Sequence, residues 1–303
     1  MRVFITGGTG TLGKELVKQL YDTSERIVIY SRDELKQSEM MKVWPEYPDN
    51  KMRYMIGDVR NLSRTTQAMR GCDVVYHTAA LKQVPMCEYN PQETIETNVI
   101  GTRNVIEACN AAGIKKCIVV STDKACEPIN LYGATKLCGE KMAIASNNLG
   151  ACRFSVVRYG NVYGSRGSVV PTWEKQFEET GEITVTDSGM TRFWITIEEA
   201  ALFIISRMKI MEGGEVFIPK MRHCTMEAFA HEVVPGARIK TIGIRAGEKI
   251  NETLIGEGDA RDCWKLSDGF TCYPVFHEWI VAFNYLGINL GPDFRYRSND
   301  YDL

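Results

Sequence analysis

The chain has 303 residues, of which 44% are hydrophobic and 24% charged, the balance of a soluble globular protein with room for one large or two moderate domains. A net charge of -2 gives no reason to expect nucleic acid or an anionic membrane as partner, so an anionic substrate must be held by a local cluster. No apolar run approaches a membrane span, no signal peptide precedes the first strand, and the ten cysteines show neither C-x-x-C nor zinc-ligand spacing; reduced thiols, no metal and a cytoplasmic location are expected.

Arg2-Val3-Phe4-Ile5-Thr6 reads as a buried strand, followed by a glycine loop and a helix through Leu16, Val17 and Leu20. Glycines 7, 10 and 13 let the backbone turn tightly, approach a pyrophosphate and pack on the sheet, so Gly7, Thr9, Gly10, Thr11, Leu12 and Gly13 are assigned to a dinucleotide. The second strand, Arg26 to Tyr30, ends in Ser31-Arg32. An arginine at that place suits a ribose 2′-phosphate, so NADP is expected ahead of NAD, with Ser31, Arg32 and Lys36 at that end; Asp33 serves equally as a helix N-cap.

A third strand from Met52 ends at Asp58-Val59, and a fourth, Asp73 to His77, runs into Thr78-Ala79-Ala80. Asp58, Val59, Ala79, Ala80, Lys82 and Asn98 are assigned to the cofactor. His77 is expected to be structural, since it ends an apolar run with no nearby acid. Apolar residues Ile95, Val99, Ile106 and Cys109 recur at helical spacing and predict one long crossover helix over 91–112.

Cys117 to Val120 reads as a fully buried parallel strand. Ligands of open α/β sheets bind beyond the carboxyl ends of such strands, which places Thr122, Asp123 and Lys124 where chemistry occurs. Tyr132 and Lys136 lie four apart on one helix face. A nearby ammonium lowers a tyrosine pKa from its usual ~10; a shift of about three units takes roughly 4 kcal/mol, within reach of one ammonium plus a positive nicotinamide.

Strand and helix alternate over about 160 residues, which predicts a Rossmann-type, doubly wound parallel α/β sheet. Residues 1–170 form the NADP-binding domain, with 191–218 returning to it; 171–190 and 219–303 form a smaller substrate domain.

Together the glycines at 7, 10 and 13, Gly57-Asp58-Val59, Ala79-Ala80, Tyr132/Lys136 and Arg158-Tyr159-Gly160-Asn161 resemble the extended short-chain dehydrogenase/reductases, many of which act on nucleotide sugars. Residues 30–37, Ser121-Thr122-Asp123-Lys124-Ala125, 164–171, Met190 to Ile195 and Arg245-Ala246-Gly247-Glu248-Lys249 look more narrowly like the C5-inverting UDP-N-acetylglucosamine 4,6-dehydratases that begin pseudaminic acid synthesis. The likeness runs to about residue 255. Gln83 and Asn251 stand where those enzymes usually have histidine.

The resemblance implies that Tyr132 as phenolate takes the O4 proton, with Thr122 on the same oxygen and Lys136 holding tyrosine and cofactor ribose. Lys124, where retaining dehydratases carry glutamate, removes the C5 proton and must be neutral to do so, which requires burial or a cationic neighbour. Asp123, protonated, donates to the departing C6 hydroxyl. Arg192 and Arg245 are candidates for the UDP diphosphate, Asn161 and the backbone of Val169 and Val170 for the nucleotide, and Lys82 and Glu248 for the sugar. A homo-oligomer is expected on the resemblance alone. A C5-retaining dehydratase or UDP-sugar 4-epimerase shares Tyr132 and Lys136, but an epimerase has no need of Asp123 and Lys124. A non-catalytic NADP-binding sensor tends to lose the tyrosine and lysine that this chain keeps.

Overall fold

The computed structural model describes residues 1–45, 50–150, 152–165, 168–274 and 287–300. Six strands succeed one another through the first half of the chain: β1 (Arg2–Thr6), β2 (Arg26–Ser31), β3 (Met52–Ile56), β4 (Val74–His77), β5 (Lys116–Val120) and β6 (Arg153–Val157). Between and after them run α1 (Thr11–Leu20), α2 (Glu34–Met41), α3 (Leu62–Met69), α4 (Val84–Tyr89), α5 (Pro91–Ile95), α6 (Gly101–Ala112), α7 (Leu131–Ala145), α8 (Val169–Thr180), α9 (Ile197–Ile210) and α10 (Met226–Val233). The later strands are β7 (Asn161–Val162), β8 (Glu182–Val185), β9 (Thr191–Ile195), β10 (Val216–Pro219), β11 (Arg222–Thr225), β12 (Arg238–Thr241), β13 (Thr253–Ile255), β14 (Cys263–Lys265), β15 (Gly269–Cys272) and β16 (Ile288–Asn289).

The main sheet has the order β16-β14-β15-β10-β6-β5-β4-β1-β2-β3, parallel from β10 to β3. This is the doubly wound arrangement expected from the alternation. Helices cover both faces, so the strands need no polar side: Val3, Phe4, Ile5, Ile27, Ile29, Val75, Cys117, Ile118 and Phe154 are all sealed from solvent. At about 1.5–3 kcal/mol for each large apolar side chain, this layer is the main source of stability. The strand order reverses between β1 and β4, and the crevice at that switch lies over Gly7 and Ala79.

Four expectations are corrected. The helix predicted over 91–112 is broken by a π turn, Glu96–Ile100, between α5 and α6. The wider turn rotates the face, so Thr94, Thr97 and Asn98 point inward while Ile95 is exposed. The stretch 219–303 does not stay apart from the sheet, because β15 pairs antiparallel with β10, and β14 and β16 extend that edge. Of the returning segment 191–218, α9 and β10 rejoin the main sheet and its helices, whereas β9 pairs with β7 and β11 in a small separate sheet. Finally, Cys263 and Cys272 are not reduced thiols: they face each other across β14 and β15 and are joined as a disulfide.

A second, smaller core gathers Val170, Trp173, Ile183, Val185, Met190, Trp194, Met226 and Phe229, with the Trp194 and Phe229 rings stacked at 3.6 Å. Its chain segments, α8 through β9 and α10 onward, overhang the carboxyl ends of β5 and β6. Residues 275–286 of the predicted substrate domain, and Arg166 and Gly167 of the 164–171 motif, lie outside the described residues.

Candidate active site

Two clefts of about 610 and 440 Å³ meet above the carboxyl ends of the central strands. Both volumes suit small-molecule sites. The first is lined by Gly7, Thr9, Gly10, Thr11, Ser31, Arg32, Lys36, Asp58, Val59, Ala79 and Ala80. Gly7 has φ +64°, and a Cβ there would lie 2.9 Å from the Ala79 backbone. Gly13 is tighter still, since a Cβ would fall 2.5 Å from Gly8. The chain thus approaches itself so closely that only glycine fits, and Gly10 is the N-cap of α1, with no side-chain cap on the first N–H groups of the helix. An open helix N-terminus beside bare backbone is a cradle for a pyrophosphate, so these residues fit a dinucleotide.

At the far end of this cleft the Asp33 carboxylate accepts the Lys36 backbone N–H and pairs with the Lys36 ammonium. Asp33 is therefore the N-cap of α2, as its position suggests. Arg32 reaches Asp58 at 3.5 Å with half its side chain exposed. Burial opposes ionisation of Asp58, but hydrogen bonds from the Arg60 side chain and backbone, with the charges of Arg60 and Arg32, hold its pKa below the usual carboxylate range.

Asn98, assigned to the cofactor, has a different place. Its side chain accepts from Leu81 N at 2.8 Å, donates to Leu81 O at 2.9 Å and donates to Thr135 Oγ1 at 3.1 Å. It fastens the loop after β4 to α7, an inward position created by the π turn. His77 is structural: fully buried, it bonds the hydroxyls of Thr6 and Thr102, and burial first, with Lys136 second, pushes its pKa down to about 3.

The second cleft brings together Thr122, Lys124, Tyr132, Lys136, Lys82, Asn161, Val169, Arg192, Arg245 and Glu248. Val170 points away into the smaller core. α7 starts cleanly because Asn130 caps it, accepting from Gly133 N at 2.8 Å. Gly133 is required, since a Cβ would lie 2.0 Å from Lys124 O. That contact sets the Tyr132 helix directly against the Thr122-Asp123-Lys124 turn.

Tyr132 is buried, and desolvation pushes its pKa up to about 12 against the lowering effects of Lys124 and the Thr122 hydroxyl. The cation acting on the phenol is thus Lys124, where the spacing pointed to Lys136. Lys136, also buried, is itself lowered to about 8 by desolvation, with Glu140 partly opposing.

Lys124 corrects a second expectation. No cation makes it neutral in this state: its amine lies 3.0 Å from Asp123 Oδ1, 3.3 Å from Asn161 Oδ1 and 3.3 Å from Glu252 Oε1. Burial and Arg192 pull its pKa down, but Asp123 and Glu252 outweigh them and hold it above the ordinary lysine value. Asp123 is sealed from solvent, accepts from the Thr122 hydroxyl at 2.8 Å and leaves Oδ2 without a partner.

Glu252 is the residue that sequence reasoning missed. It follows Asn251, whose Oδ1 accepts from Thr191 Oγ1 at 2.8 Å, and it is only 2% exposed with Oε2 unpartnered. Its burial beside Lys124 has no local sequence signal. Arg192 donates to the carbonyls of Thr191, Lys249 and Ile250 and lies 3.9 Å from Glu252, so it braces the 249–252 segment as well as lining the cleft. Arg245 is exposed and Glu248 half-buried in one turn, with Glu248 N donating to Arg245 O at 3.1 Å. Gln83 is an exposed helix-entry residue at the start of α4.

A doubly wound sheet with a glycine cradle, a Tyr132/Lys136 pair on one helix and a small second core above them defines an extended short-chain dehydrogenase/reductase. Within that class the chain belongs to the family described as "Polysaccharide biosynthesis protein", which matches residues 3–274. It is 49% identical over 295 residues to the UDP-N-acetylglucosamine 4,6-dehydratase (inverting) of Campylobacter jejuni strain 81-176, covering 94% of this chain and 87% of that protein. It is 39% identical over 269 residues to the UDP-glucose 4-epimerase of Rickettsia akari, covering 85% of this chain and 78% of that one. The X-ray structure of Pen from Bacillus thuringiensis superposes with TM-score 0.90 at 36% identity, over 99% of this chain and 94% of that one.

Proposed function

We propose that the protein is an NADP-dependent, C5-inverting UDP-N-acetylglucosamine 4,6-dehydratase, a lyase that removes water from the sugar. The observation that carries this reading is the Asp123–Lys124 pair, an acid and a base 3.0 Å apart at the end of β5, beside a tyrosine that can work on O4. The 49% identity to the inverting Campylobacter jejuni enzyme supports the same substrate.

Arg32 and Lys36 supply cations at the ribose end of the first cleft, and Asp33 is engaged as a cap; both favour NADP over NAD. Gly7, Thr9, Gly10 and Thr11 would hold the dinucleotide, whose nicotinamide would supply the hydride-accepting and hydride-returning chemistry between C4 and C6, and Lys124 and the Thr122 hydroxyl favour the Tyr132 phenolate beside it. Tyr132 takes the O4 proton while Thr122 hydrogen-bonds that oxygen. The resulting ketone acidifies C5–H. One proton then moves from Lys124 Nζ to Asp123 Oδ1, which turns the ion pair into a neutral amine and a neutral carboxylic acid together. The amine removes the C5 proton and the acid protonates the leaving C6 hydroxyl, which restores the ion pair. Arg245 and the open N-terminus of α8 at Ser168 and Val169 hold the diphosphate, and Glu248 and Lys82 meet the sugar.

Incubation with UDP-N-acetylglucosamine and no added reductant is expected to give a product lighter by one water in the mass spectrum. A product of unchanged mass but altered C4 configuration would support the second reading, a UDP-sugar 4-epimerase, which the Rickettsia akari relative favours.

A further inference from the structure

The sequence likeness to the 4,6-dehydratases thins after about residue 255, yet the fold brings residues 296–300 back against the site. β17 (Tyr296–Arg297) pairs antiparallel with β13, with Thr253 opposite Arg297 and Ile255 opposite Tyr296. Contacts away from the cleft fix it there. The Tyr296 ring packs on Phe193 and Phe270 at 4.7 and 4.8 Å, and its hydroxyl accepts from Met221 N at 2.8 Å and donates to Met221 O at 3.2 Å.

The residue after this strand, Ser298, is sealed from solvent and bonds Glu252 twice. Its N–H donates to Glu252 O at 2.9 Å, and its hydroxyl oxygen accepts from Glu252 N at 2.9 Å. The same hydroxyl lies 2.6 Å from Thr191 Oγ1, which donates to Asn251 Oδ1 at 2.8 Å. A hydroxyl has one proton to give, and that of Thr191 goes to Asn251, so the Ser298 proton points at Thr191, whose carbonyl at 3.2 Å is its second acceptor. The hydrogen bonds thus run from Glu252 N through Ser298 and Thr191 to the side chain of Asn251. They begin and end on consecutive residues, a closed loop that fixes the backbone between them.

The Glu252 carboxylate depends on that backbone for its place. Oε1 meets Lys124 at 3.3 Å and Arg192 at 3.9 Å, and Oε2 has no partner among the described residues. No neutral donor among them pins the carboxylate. We infer that Ser298 is a positioning residue of the candidate active site: its hydroxyl sets the Glu252 backbone so that the carboxylate meets the Lys124 amine. Its effect on turnover rests on the dehydratase reading above, whereas its placement of Glu252 does not.

Asp123 and Arg192 are the other charged groups that act on Lys124, and Lys82 and Tyr132 feel its charge in turn. A second bonded route leads from Ser298 through Thr191 O to Arg192, and a double variant with Glu252 separates the two routes. Ser298→Ala leaves the strand pairing and the Ser298 N–H bond in place. Arg158 still holds the segment from its other side, donating to Leu254 O at 2.8 Å and to Asp259 at 2.7 Å. What the variant removes is the acceptor for a buried N–H, so Glu252 shifts while the fold stands.

The test measures acylation of Lys124 by a small amine reagent near neutral pH, read by peptide mapping, in wild type, Ser298→Ala, Glu252→Gln and the double variant. Turnover of UDP-N-acetylglucosamine and a denaturation curve accompany each. Ser298→Ala should raise Lys124 labelling roughly threefold and lower kcat roughly tenfold, with KM within about twofold of wild type. The double variant should label no more than Glu252→Gln alone, because Ser298 acts through that carboxylate. Should Ser298→Ala not fold, Ser298→Cys, close in size but a weak acceptor, carries the same comparison. Wild-type labelling in the folded variant, or a further rise in the double variant, would overturn the assignment. Raised labelling in a protein whose wild type eliminates no water would overturn the dehydratase reading and leave the placement of Glu252 standing.

Discussion

Lys124 Nζ lies 3.3 Å from Glu252 Oε1, a carboxylate brought from far along the chain and almost sealed from solvent. The amine thus has a carboxylate on two sides, Asp123 being the other. Such an amine is a strong base once its proton has moved, and it stays an ammonium until then. Asp123 is the acceptor for that proton, because the same transfer prepares it as the acid for the leaving hydroxyl.

Removing the second carboxylate should be visible on the lysine itself. In Glu252→Gln the Lys124 pKa falls, so acylation of Lys124 by a small amine reagent near neutral pH should rise about tenfold for each unit of the fall. Peptide mapping of the labelled protein measures it. Unchanged labelling would mean that Glu252 does not set the protonation of Lys124.

Asp123→Asn keeps the shape of the side chain and removes the acid. Water elimination should drop by roughly 10²- to 10⁴-fold, while reversible oxidation at C4, read from nicotinamide absorbance, persists. An equal loss in both would point to collapse of the turn that Thr122 and Lys124 share with Asp123.

Lys136 gives a pH signature in the protein without cofactor. Burial lowers its folded pKa to about 8, below the ordinary lysine value of about 10.4, so between those values the unfolded chain binds the extra proton. Stability contributed at this site therefore rises as pH increases from about 8 to about 10, by an amount on the order of 3 kcal/mol. Chemical denaturation of wild type against Lys136→Met should show the rise in wild type only. A constant difference between the two across that range would contradict the assignment.

At the ribose end of the dinucleotide cleft, Arg32→Ala should weaken NADP by about 2 kcal/mol, roughly 30-fold, and leave NAD within about threefold. Calorimetric titration of both nucleotides decides it. Equal losses would place Arg32 elsewhere than on the 2′-phosphate.

The parts legible in the sequence were those whose meaning is local. The glycine loop declares itself because only glycine survives the approach of Gly7 to Ala79 and of Gly13 to Gly8. Tyr132 and Lys136 share a helix face by spacing alone, and Thr122 to Lys124 follow a strand that no other reading suits. What escaped depends on distant chain. Glu252 reaches Lys124 only because β13 and the segment before it fold back over β5, and no pattern around residue 252 announces that. Asn98 turns inward because of a π turn that helical periodicity assumes away. The C-terminal strands join the main sheet through antiparallel pairing with β10, and their short apolar runs resemble those of any small domain. The disulfide between Cys263 and Cys272 follows from that pairing, which cysteine spacing does not reveal.

The most direct test of the account is a proton NMR time course of the purified protein with UDP-N-acetylglucosamine in deuterated water, without added reductant. The account predicts a 6-deoxy-4-keto sugar with one solvent deuteron at C5 and couplings of the inverted configuration. A product labelled at C5 but with its configuration retained would contradict the role given to Lys124, and a sugar altered only at C4 would contradict the dehydratase itself.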